Sequence, residues 1–278
     1  MLDHARAYDL DFAFPAGDTT VGPALRDHGE FARVILDFLI DEAASPGGVL
    51  IDVGANVGAI GLPFAARKPE WRVIAIEAHA GLAEIAAQNA ATNRLANVEV
   101  IHAAAGSRSG SIDFPSPPLT EVRNFGEIGL TTRAPAVATR VVTLDEIAPP
   151  DTRLVKIDVE GFEPDVLAGA ADLLASHRAT WLLEAAIQTP QAAAAAIEAL
   201  QMAGYDVYWF YAPFVTATAR GGPSKEPALG DSNVIALPRG AANPWNLTRV
   251  ISSDEPRPRS LTAYPYLRRY GYVPRERS

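Results

Sequence analysis

The chain has 278 residues, 48% of them hydrophobic and 21% charged, which is typical of a folded domain with a core and argues against a disordered chain. Its formal net charge of −9 argues against a surface built to coat nucleic acid or an anionic membrane. The chain contains no cysteine, which excludes disulfides, thiolate catalysis and zinc–thiolate sites.

The N-terminal residues lack the apolar run of a signal peptide, and the apolar stretches of the chain are shorter than a membrane span. We therefore expect a cytoplasmic protein without a nucleic-acid or membrane partner.

Residues 1–46 are predicted to form an N-terminal extension. Residues 7–16 alternate between apolar and polar in the period of a strand. Residues 31–40 carry their apolar side chains at helical spacing, and the Ser-Pro-Gly-Gly segment at 45–48 predicts a turn.

Residues 47–240 show the alternation of strands and helices that predicts an α/β domain with a mostly parallel sheet. The predicted strands of this sheet lie at residues 49–53, 72–76, 98–102, 154–158 and 181–184. Helices are predicted from about Ala59, over 81–92 and from Pro164 to about 176, and a fourth starts at Pro190 and ends just before Gly204.

Three further segments complete the predicted order. A proline-rich insert at 107–139 is expected to be irregular, and aromatic residues 205–211 and the run 232–237 are predicted as strands, separated by a second long loop at 213–231. Residues 241–278 are expected to form a C-terminal arm.

Four of the five strands of the predicted parallel sheet end on, or run directly into, an acidic residue. These acids are Asp52, Glu77, Asp158 and Glu184. Ligands of parallel α/β sheets bind beside the carboxyl ends of the strands. Gly54 and Gly58 let the loop after the first strand approach a ligand closely, and Glu77 is placed to accept hydrogen bonds from ribose hydroxyls. The pattern therefore predicts a cofactor that contains adenosine.

The same loop favours S-adenosylmethionine over a dinucleotide. Asn56 stands where the dinucleotide pattern G-x-G-x-x-G has its middle glycine. The charge on Asp52 would repel a pyrophosphate and attract the sulfonium and ammonium groups of S-adenosylmethionine. The alternative is that the two glycines only form a tight turn between strand and helix.

The segments IDVGANVG at 51–58 and KIDVEGFE at 156–163 resemble the FkbM family of methyltransferases, and the second is the more specific. Shorter matches at 75–79, 88–93, 124–126, 143–145 and 166–170 extend the resemblance over roughly residues 29–238. The family implies a Rossmann-like class I methyltransferase fold: α/β, a mostly parallel twisted sheet with helices on both faces and an antiparallel C-terminal hairpin. It also implies methyl transfer from S-adenosyl-L-methionine, commonly to an oxygen of a sugar or natural product.

The chain departs from the family pattern at two strand ends. The family usually has Glu-Pro after the second strand, where this chain has Glu77 and Ala78. Many members have an Asn-Asp pair after the fifth strand, where this chain has Glu184 followed by two alanines. The second departure faces the substrate side, so the identity of the acceptor does not carry over from the family.

These patterns assign the site residues. The predicted cofactor-binding residues are Glu30, Asp52, Gly54, Asn56, Gly58, Glu77, His79, Ala104 and Asp158. The predicted catalytic residues are Asp158, Glu160 and Glu184. The first two of these acids could instead stabilise the start of the following helix, and a buried Glu184 needs a partner or a role. The three acids could converge as oxygen ligands, but their spacing does not require a metal and none is predicted.

Acceptor-binding residues are predicted on two other segments. Asn124 and Phe125 lie in the insert, which is expected to overhang the cofactor. Trp209 opens an aromatic cluster that could stack on a sugar, although core packing is the alternative. In the C-terminal arm, seven arginines with interleaved tyrosines could bind nucleic acid. We favour an arm that docks on its own chain or one that contacts a second subunit. The second arrangement would make a homodimer.

The sequence therefore predicts a methyltransferase that acts on a sugar or natural-product hydroxyl, in glycan or natural-product biosynthesis. One alternative is a nicotinamide-dependent oxidoreductase on a related fold. The other is a protein that binds the cofactor without catalysis.

Overall fold

The N-terminal residues form a hairpin. In the computed structural model, which describes residues 1–44, 46–222 and 229–272, β1 (Leu2–Ala7) pairs antiparallel with β2 (Leu10–Pro15). The single strand predicted at 7–16 is thus wrong in its first part. The chain reverses at Tyr8 and Asp9, whose φ angles of 53° and 65° match the left-handed backbone that tight hairpin turns require.

Helical segments connect this hairpin to the sheet. They are α1 (Val21–Pro23), a π-helical turn (Ala24–His28) and α2 (Arg33–Glu42). The helix predicted at 31–40 is confirmed with a shift of two residues. Its buried side chains, among them Ile35 and Phe38, belong to the main hydrophobic core. Ser45 of the predicted turn lies outside the described residues.

The remaining strands are β3 (Gly48–Val53), β4 (Trp71–Glu77), β5 (Val98–His102), β6 (Ala104–Ala105), β7 (Gly110–Pro115), β8 (Ala136–Val142), β9 (Thr152–Ile157), β10 (Thr180–Glu184), β11 (Tyr205–Pro213), β12 (Gly230–Pro238) and β13 (Thr248–Arg249). The remaining α-helices are α3 (Gly61–Arg67), α4 (Ala80–Thr92), α5 (Leu144–Ile147), α6 (Glu163–Ala168), α7 (Ala171–Ala175) and α8 (Pro190–Met202). Two 3-10 helices follow, at Leu261–Ala263 and Pro265–Tyr270.

The central sheet has eight strands in the order β13-β11-β12-β10-β9-β3-β4-β5. The five strands from β10 to β5 in this order are parallel, and β12 runs antiparallel to both β10 and β11. From β3 the chain proceeds to β4 and β5 on one side, and it returns through β9 to the other side. The strand order therefore reverses between β3 and β9, which is where doubly wound sheets bind their ligands. The predicted Rossmann-like α/β fold is confirmed.

The insert predicted as irregular contains two strands. β7 and β8 pair antiparallel, and β8 also pairs with β6 to complete a small three-stranded sheet. The prolines that suggested an irregular segment lie at the end of β7 and in the connection to β8, which is where a strand tolerates them.

The helix predicted from Pro164 to about residue 176 is divided into α6 and α7. The division lies at Gly169, where a Cβ atom would be 2.0 Å from the backbone oxygen of Gly106. The backbones of these two residues come too close for any side chain at position 169.

The C-terminal arm packs on its own chain. Its four tyrosines, Tyr264, Tyr266, Tyr270 and Tyr272, are all buried. The hydroxyl of Tyr266 accepts a hydrogen bond from the backbone N–H of Tyr211 at 2.7 Å. The last six residues of the predicted arm, and residues 223–228 of the loop predicted at 213–231, lie outside the described residues. No helix in the described part of the chain is both long and apolar enough to cross a membrane.

Candidate functional site

A cavity of about 380 Å³ opens beside the carboxyl ends of β3, β4, β9 and β10. This volume lies in the range of small-molecule sites. The cavity brings together most of the predicted site residues, namely Asp52, Gly54, Asn56, Glu77, Ala104, Asn124, Phe125, Asp158, Glu160 and Glu184.

The loop after β3 has a backbone that few residues can adopt. Gly54 has a φ of 75°, and a Cβ atom there would lie 1.9 Å from the backbone oxygen of Asp158. Asn56 has a φ of 51°, in the left-handed region that asparagine tolerates better than most residues. Gly58, with a φ of 86°, sits over Leu62 and shapes the turn without lining the cavity. The glycines therefore allow the ends of β3 and β9 to meet at the cavity.

Glu77 holds this loop in place. One carboxylate oxygen accepts the backbone N–H of Asn56 and the other accepts that of His79, both at 2.8 Å. Burial raises the pKa of Glu77, and the two backbone hydrogen bonds partly offset the rise. Each carboxylate oxygen keeps a second lone pair, so Glu77 can still accept hydrogen bonds from a ligand in the cavity.

Lys156 forms a buried ion pair at the base of the cavity. Its Nζ lies 3.1 Å from Asp52 Oδ1 and 3.4 Å from Asp158 Oδ2. Burial opposes the charge on Lys156, but the two carboxylates outweigh it and raise the pKa of the ammonium group. Apart from this ion pair, neither oxygen of Asp52 has a hydrogen-bond partner among the described residues. Asp52 is therefore a fixed negative charge beside the loop.

Asp158, Glu160 and Glu184 form what we call the acidic cluster. One carboxylate oxygen from each lies within 4.8 Å of the others. Burial, followed by the negative charges of neighbouring acids, raises the pKa of both Glu160 and Glu184. The three acids converge because β9 and β10 are adjacent and parallel, so that their carboxyl ends meet.

The turn after β9 places Glu160 in the cluster. Glu160 has a φ of 51° and Gly161 a φ of 88°. Two consecutive residues in the left-handed region reverse the chain, and Glu163 stabilises the turn by accepting the backbone N–H groups of Val159 and Gly161. Strained backbone of this kind is concentrated at functional sites.

Besides Gly58, three further predicted site residues do not line the cavity. His79 Nδ1 accepts the backbone N–H groups of Gly81 and Leu82 at the start of α4, and its Nε2 lies 2.9 Å from the oxygen of Pro117. The other two bind distant parts of the chain: Glu30 accepts the N–H of Thr216, and the indole of Trp209 donates to Glu255.

The segment before β8 lines the cavity with residues 124–130. Phe125 is buried, and the side-chain oxygen of Asn124 accepts the backbone N–H of Gly126 at 3.0 Å. This local hydrogen bond fixes the loop and leaves the amide nitrogen of Asn124 for other contacts.

A model of the FkbM methyltransferase domain matches residues 52–207, more than half of the chain. The chain therefore belongs to the FkbM methyltransferase family. No curated protein sequence matches the chain.

Solved structures of methyltransferases are similar to this FkbM chain at low identity. One is an FkbM methyltransferase from Methylobacillus flagellatus, with 16% identity, a TM-score of 0.46, and coverage of 69% of this chain but only 44% of that one. A precorrin-6y C5,15-methyltransferase from Geobacter metallireducens has 13% identity, a TM-score of 0.47, and coverage of 74% and 88%. TYW2 from M. jannaschii, in complex with AdoMet, has 13% identity, a TM-score of 0.42, and coverage of 84% of each chain.

Family membership makes S-adenosylmethionine the cofactor, and the cavity fits it. Seven acidic residues line the cavity, against a single basic one, Lys156. Such a lining favours a ligand with sulfonium and ammonium groups and disfavours a pyrophosphate. Asp52 and the loop through Asn56 would hold the charged amino-acid part, and Glu77 would accept hydrogen bonds from the ribose.

Other residues that line the cavity were not predicted from the sequence, among them Asp231, Gln188 and Phe214. Asp231 lies near the start of β12. Because β12 runs antiparallel to β10, its first residues lie beside the carboxyl end of β10, where Glu184 faces Asn233. An acid at the start of the first antiparallel strand was the signal available in the sequence.

Proposed function

We propose that this FkbM methyltransferase transfers the methyl group of S-adenosylmethionine to a hydroxyl oxygen of a sugar or natural product. The observation that carries the proposal is the acidic cluster, which faces the same cavity as the cofactor loop. A hydroxyl must lose its proton as it is methylated, and carboxylates beside the acceptor can receive that proton.

When bound, S-adenosylmethionine supplies a methyl group whose bond to sulfur breaks with its electron pair left on sulfur, while a lone pair of the acceptor oxygen forms the new C–O bond. The protein contributes alignment of the two reactants and removal of the hydroxyl proton. Asp158 connects the two tasks, since its carboxylate contacts Lys156 on the cofactor side and belongs to the acidic cluster.

Glu160 is the member of the cluster best placed to receive the proton. Burial and the neighbouring acids raise its pKa to about 8, so that the fraction of Glu160 that is ionised near neutral pH is a stronger base than an ordinary carboxylate. Glu184, whose pKa is raised further, holds its own proton more tightly. We assign proton transfer to Glu160 and orientation of the acceptor to Asp158 and Glu184.

The rest of the cavity suits an acceptor with both apolar and polar faces. Phe125 and Phe214 supply aromatic surface, while Asn124 and Gln188 supply amide groups. Aromatic rings beside hydrogen-bonding side chains are typical of sites for sugars and for hydroxylated natural products.

The test uses the purified protein with S-adenosylmethionine labelled in its methyl group and a panel of glycosides and hydroxylated natural products. We expect label in a base-stable methyl ether, and a lower kcat for Glu160→Gln with unchanged affinity for S-adenosylhomocysteine. Label recovered on nitrogen or carbon would contradict oxygen methylation. Absence of transfer to every member of the panel, with the cofactor bound, would favour a protein that binds the cofactor without catalysis.

A further inference from the structure

The acidic cluster has a geometry that proton transfer alone does not explain. Asp158 and Glu160 follow β9, Glu184 ends β10, and one oxygen of each lies within 4.8 Å of the others. Oxygens bound to a common Ca²⁺ at about 2.4 Å lie up to about 4.8 Å apart, and those bound to Mg²⁺ at about 2.1 Å lie up to about 4.2 Å apart. The spacing of the three oxygens is thus within reach of one ion.

Glu184 provides an independent observation. Its side chain is only 6% exposed, it lines the cavity, and its Oε2 is fully enclosed without a hydrogen-bond partner among the described residues. A buried polar atom without a partner is costly, and native proteins seldom retain one without a ligand or a function. The unpartnered oxygen therefore indicates a missing partner in the cavity.

The protein supplies little positive charge for the acidic cluster. Lys156, the one basic residue among the described residues that line the cavity, lies closer to Asp52 than to Asp158. Glu160 and Glu184 have no ion pair among the described residues, and Asp231 adds a further acid to the same cavity. A cation in the cluster would supply the charge that Lys156 does not.

We propose that Asp158, Glu160 and Glu184 bind one divalent cation of the oxygen-preferring class, such as Mg²⁺, Mn²⁺ or Ca²⁺. Three carboxylate oxygens from two strand ends leave the remaining coordination positions open toward the cavity. In a role that rests on the proposed function, the ion binds the acceptor hydroxyl through one of these positions and lowers its pKa, while a carboxylate or water receives the proton.

Ion binding is tested on the full chain without any acceptor. The protein is stripped with a chelator and titrated with Mn²⁺, and bound ion is measured by electron paramagnetic resonance and by calorimetry. We expect a single Mn²⁺ per chain, displaced by Mg²⁺ or by Ca²⁺. Failure to bind at about 1 mM Mn²⁺, near the weak end of protein cation sites, would overturn the proposal.

Matched variants locate the ion. Glu184→Gln and Glu160→Gln should each weaken Mn²⁺ binding at least about tenfold. Glu84→Gln is the control, because Glu84 is exposed on α4 and does not line the cavity. Its affinity for Mn²⁺ should equal that of the unmodified protein. Equal loss in all three variants, or loss in none, would place the ion elsewhere and overturn the assignment.

A parallel titration with S-adenosylhomocysteine separates this inference from the proposed function. Glu184→Gln should bind S-adenosylhomocysteine normally and unfold in a single cooperative thermal transition, which shows that it is folded. Normal cofactor binding and methyl transfer in a protein that binds no Mn²⁺ would refute the ion site and leave oxygen methylation intact.

Discussion

The acidic residues on the two sides of the cavity differ in whether they have hydrogen-bond or ion-pair partners. On the cofactor side, Glu77 accepts two backbone N–H groups and Asp52 pairs with Lys156. On the opposite side, Glu160 and Glu184 face one another, and Glu184 Oε2 has no hydrogen-bond partner among the described residues. Both sides are built from the carboxyl ends of adjacent parallel strands, so strand position alone does not account for the difference.

This difference indicates what each side of the cavity needs before it can bind its ligand. Carboxylates that already have partners are held in one geometry, which lowers the cost of binding a ligand because little has to be ordered. Carboxylates that repel one another need a proton, a cation or a polar ligand before the charge is balanced. We infer that the cofactor side is preorganised, whereas the acidic cluster reaches its working state only when the reactants or an ion arrive.

The largest effect is expected at Lys156, which contacts both sides. Lys156→Met leaves Asp52 as a buried carboxylate without a counter-charge, which should lower the free energy of unfolding by about 3–5 kcal/mol. Urea denaturation measures the change. The double variant Asp52→Asn with Lys156→Met removes both charges and should recover part of the loss. A single variant as stable as the unmodified protein would show that the pair is not a buried interaction.

This ion pair also shows how far the sequence could predict the site. The positions of Asp52, Glu77, Asp158 and Glu184 follow from the rule that carboxyl ends of parallel strands share one edge of the sheet. The rule does not predict which acids form an ion pair or hydrogen bonds, because that depends on the directions of the Lys156 side chain and of the backbone N–H groups of the loop.

Elements outside the parallel pattern were harder to predict. Asp231 reaches the cavity because β12 runs antiparallel to β10. The family resemblance implied an antiparallel C-terminal hairpin, but the spacing along the chain did not say which residue of that hairpin would reach the cavity. β7 and β8 are partly exposed and carry few buried side chains, so the sequence lacks the continuous apolar run that marks the strands of the central sheet. The acid Glu30 and the aromatic Trp209 were predicted to bind ligands, yet each forms a hydrogen bond to a distant segment of the chain instead.

The next largest effect tests whether the cofactor side is preorganised. Glu77→Gln replaces one acceptor oxygen by an amide group, so that the backbone N–H of Asn56 or of His79 loses its partner. The free energy of unfolding should fall by about 1–3 kcal/mol, and S-adenosylhomocysteine should bind at least about tenfold more weakly. Calorimetry measures the affinity. Glu84→Gln, at an exposed position on α4, is the control and should change neither quantity. Unchanged affinity in Glu77→Gln would remove Glu77 from the cofactor site.

A smaller effect is expected at His79, next to the loop. His79→Ala removes the side-chain acceptor at the start of α4 and should lower the free energy of unfolding by about 1 kcal/mol. Because His79 does not line the cavity, affinity for S-adenosylhomocysteine should stay the same. His79→Asn, which keeps a capping oxygen, should restore most of the stability. A clear loss of affinity in His79→Ala would instead support the cofactor contact predicted from the sequence.

At low pH the smallest effect is expected at Glu184, and it sharpens the comparison with Glu77. Burial, followed by the charges of Asp158, Glu160, Asp231 and Glu163, raises the pKa of Glu184 to about 11, so in the presence of a chelator the side chain is a neutral acid at pH 7. At or below pH 4.5 the side chain is protonated in both the folded and the unfolded chain, so Glu184→Gln exchanges one neutral group for another of the same shape, and the free energy of unfolding should change there by less than about 1 kcal/mol.

The raised pKa of Glu184 determines how the stability difference between Glu184→Gln and the unmodified protein changes with pH. A carboxyl whose pKa is higher in the folded chain than the usual 4.5 favours folding fully below pH 4.5, and that contribution is lost as the pH rises toward the folded-state pKa. Glu184→Gln removes this loss, so the variant should gain stability relative to the unmodified protein as the pH increases. Urea denaturation with chelator from pH 5 to pH 9 follows the difference. If the two proteins respond to pH in the same way, Glu184 is ionised in the folded state, and the two sides of the cavity do not differ as described.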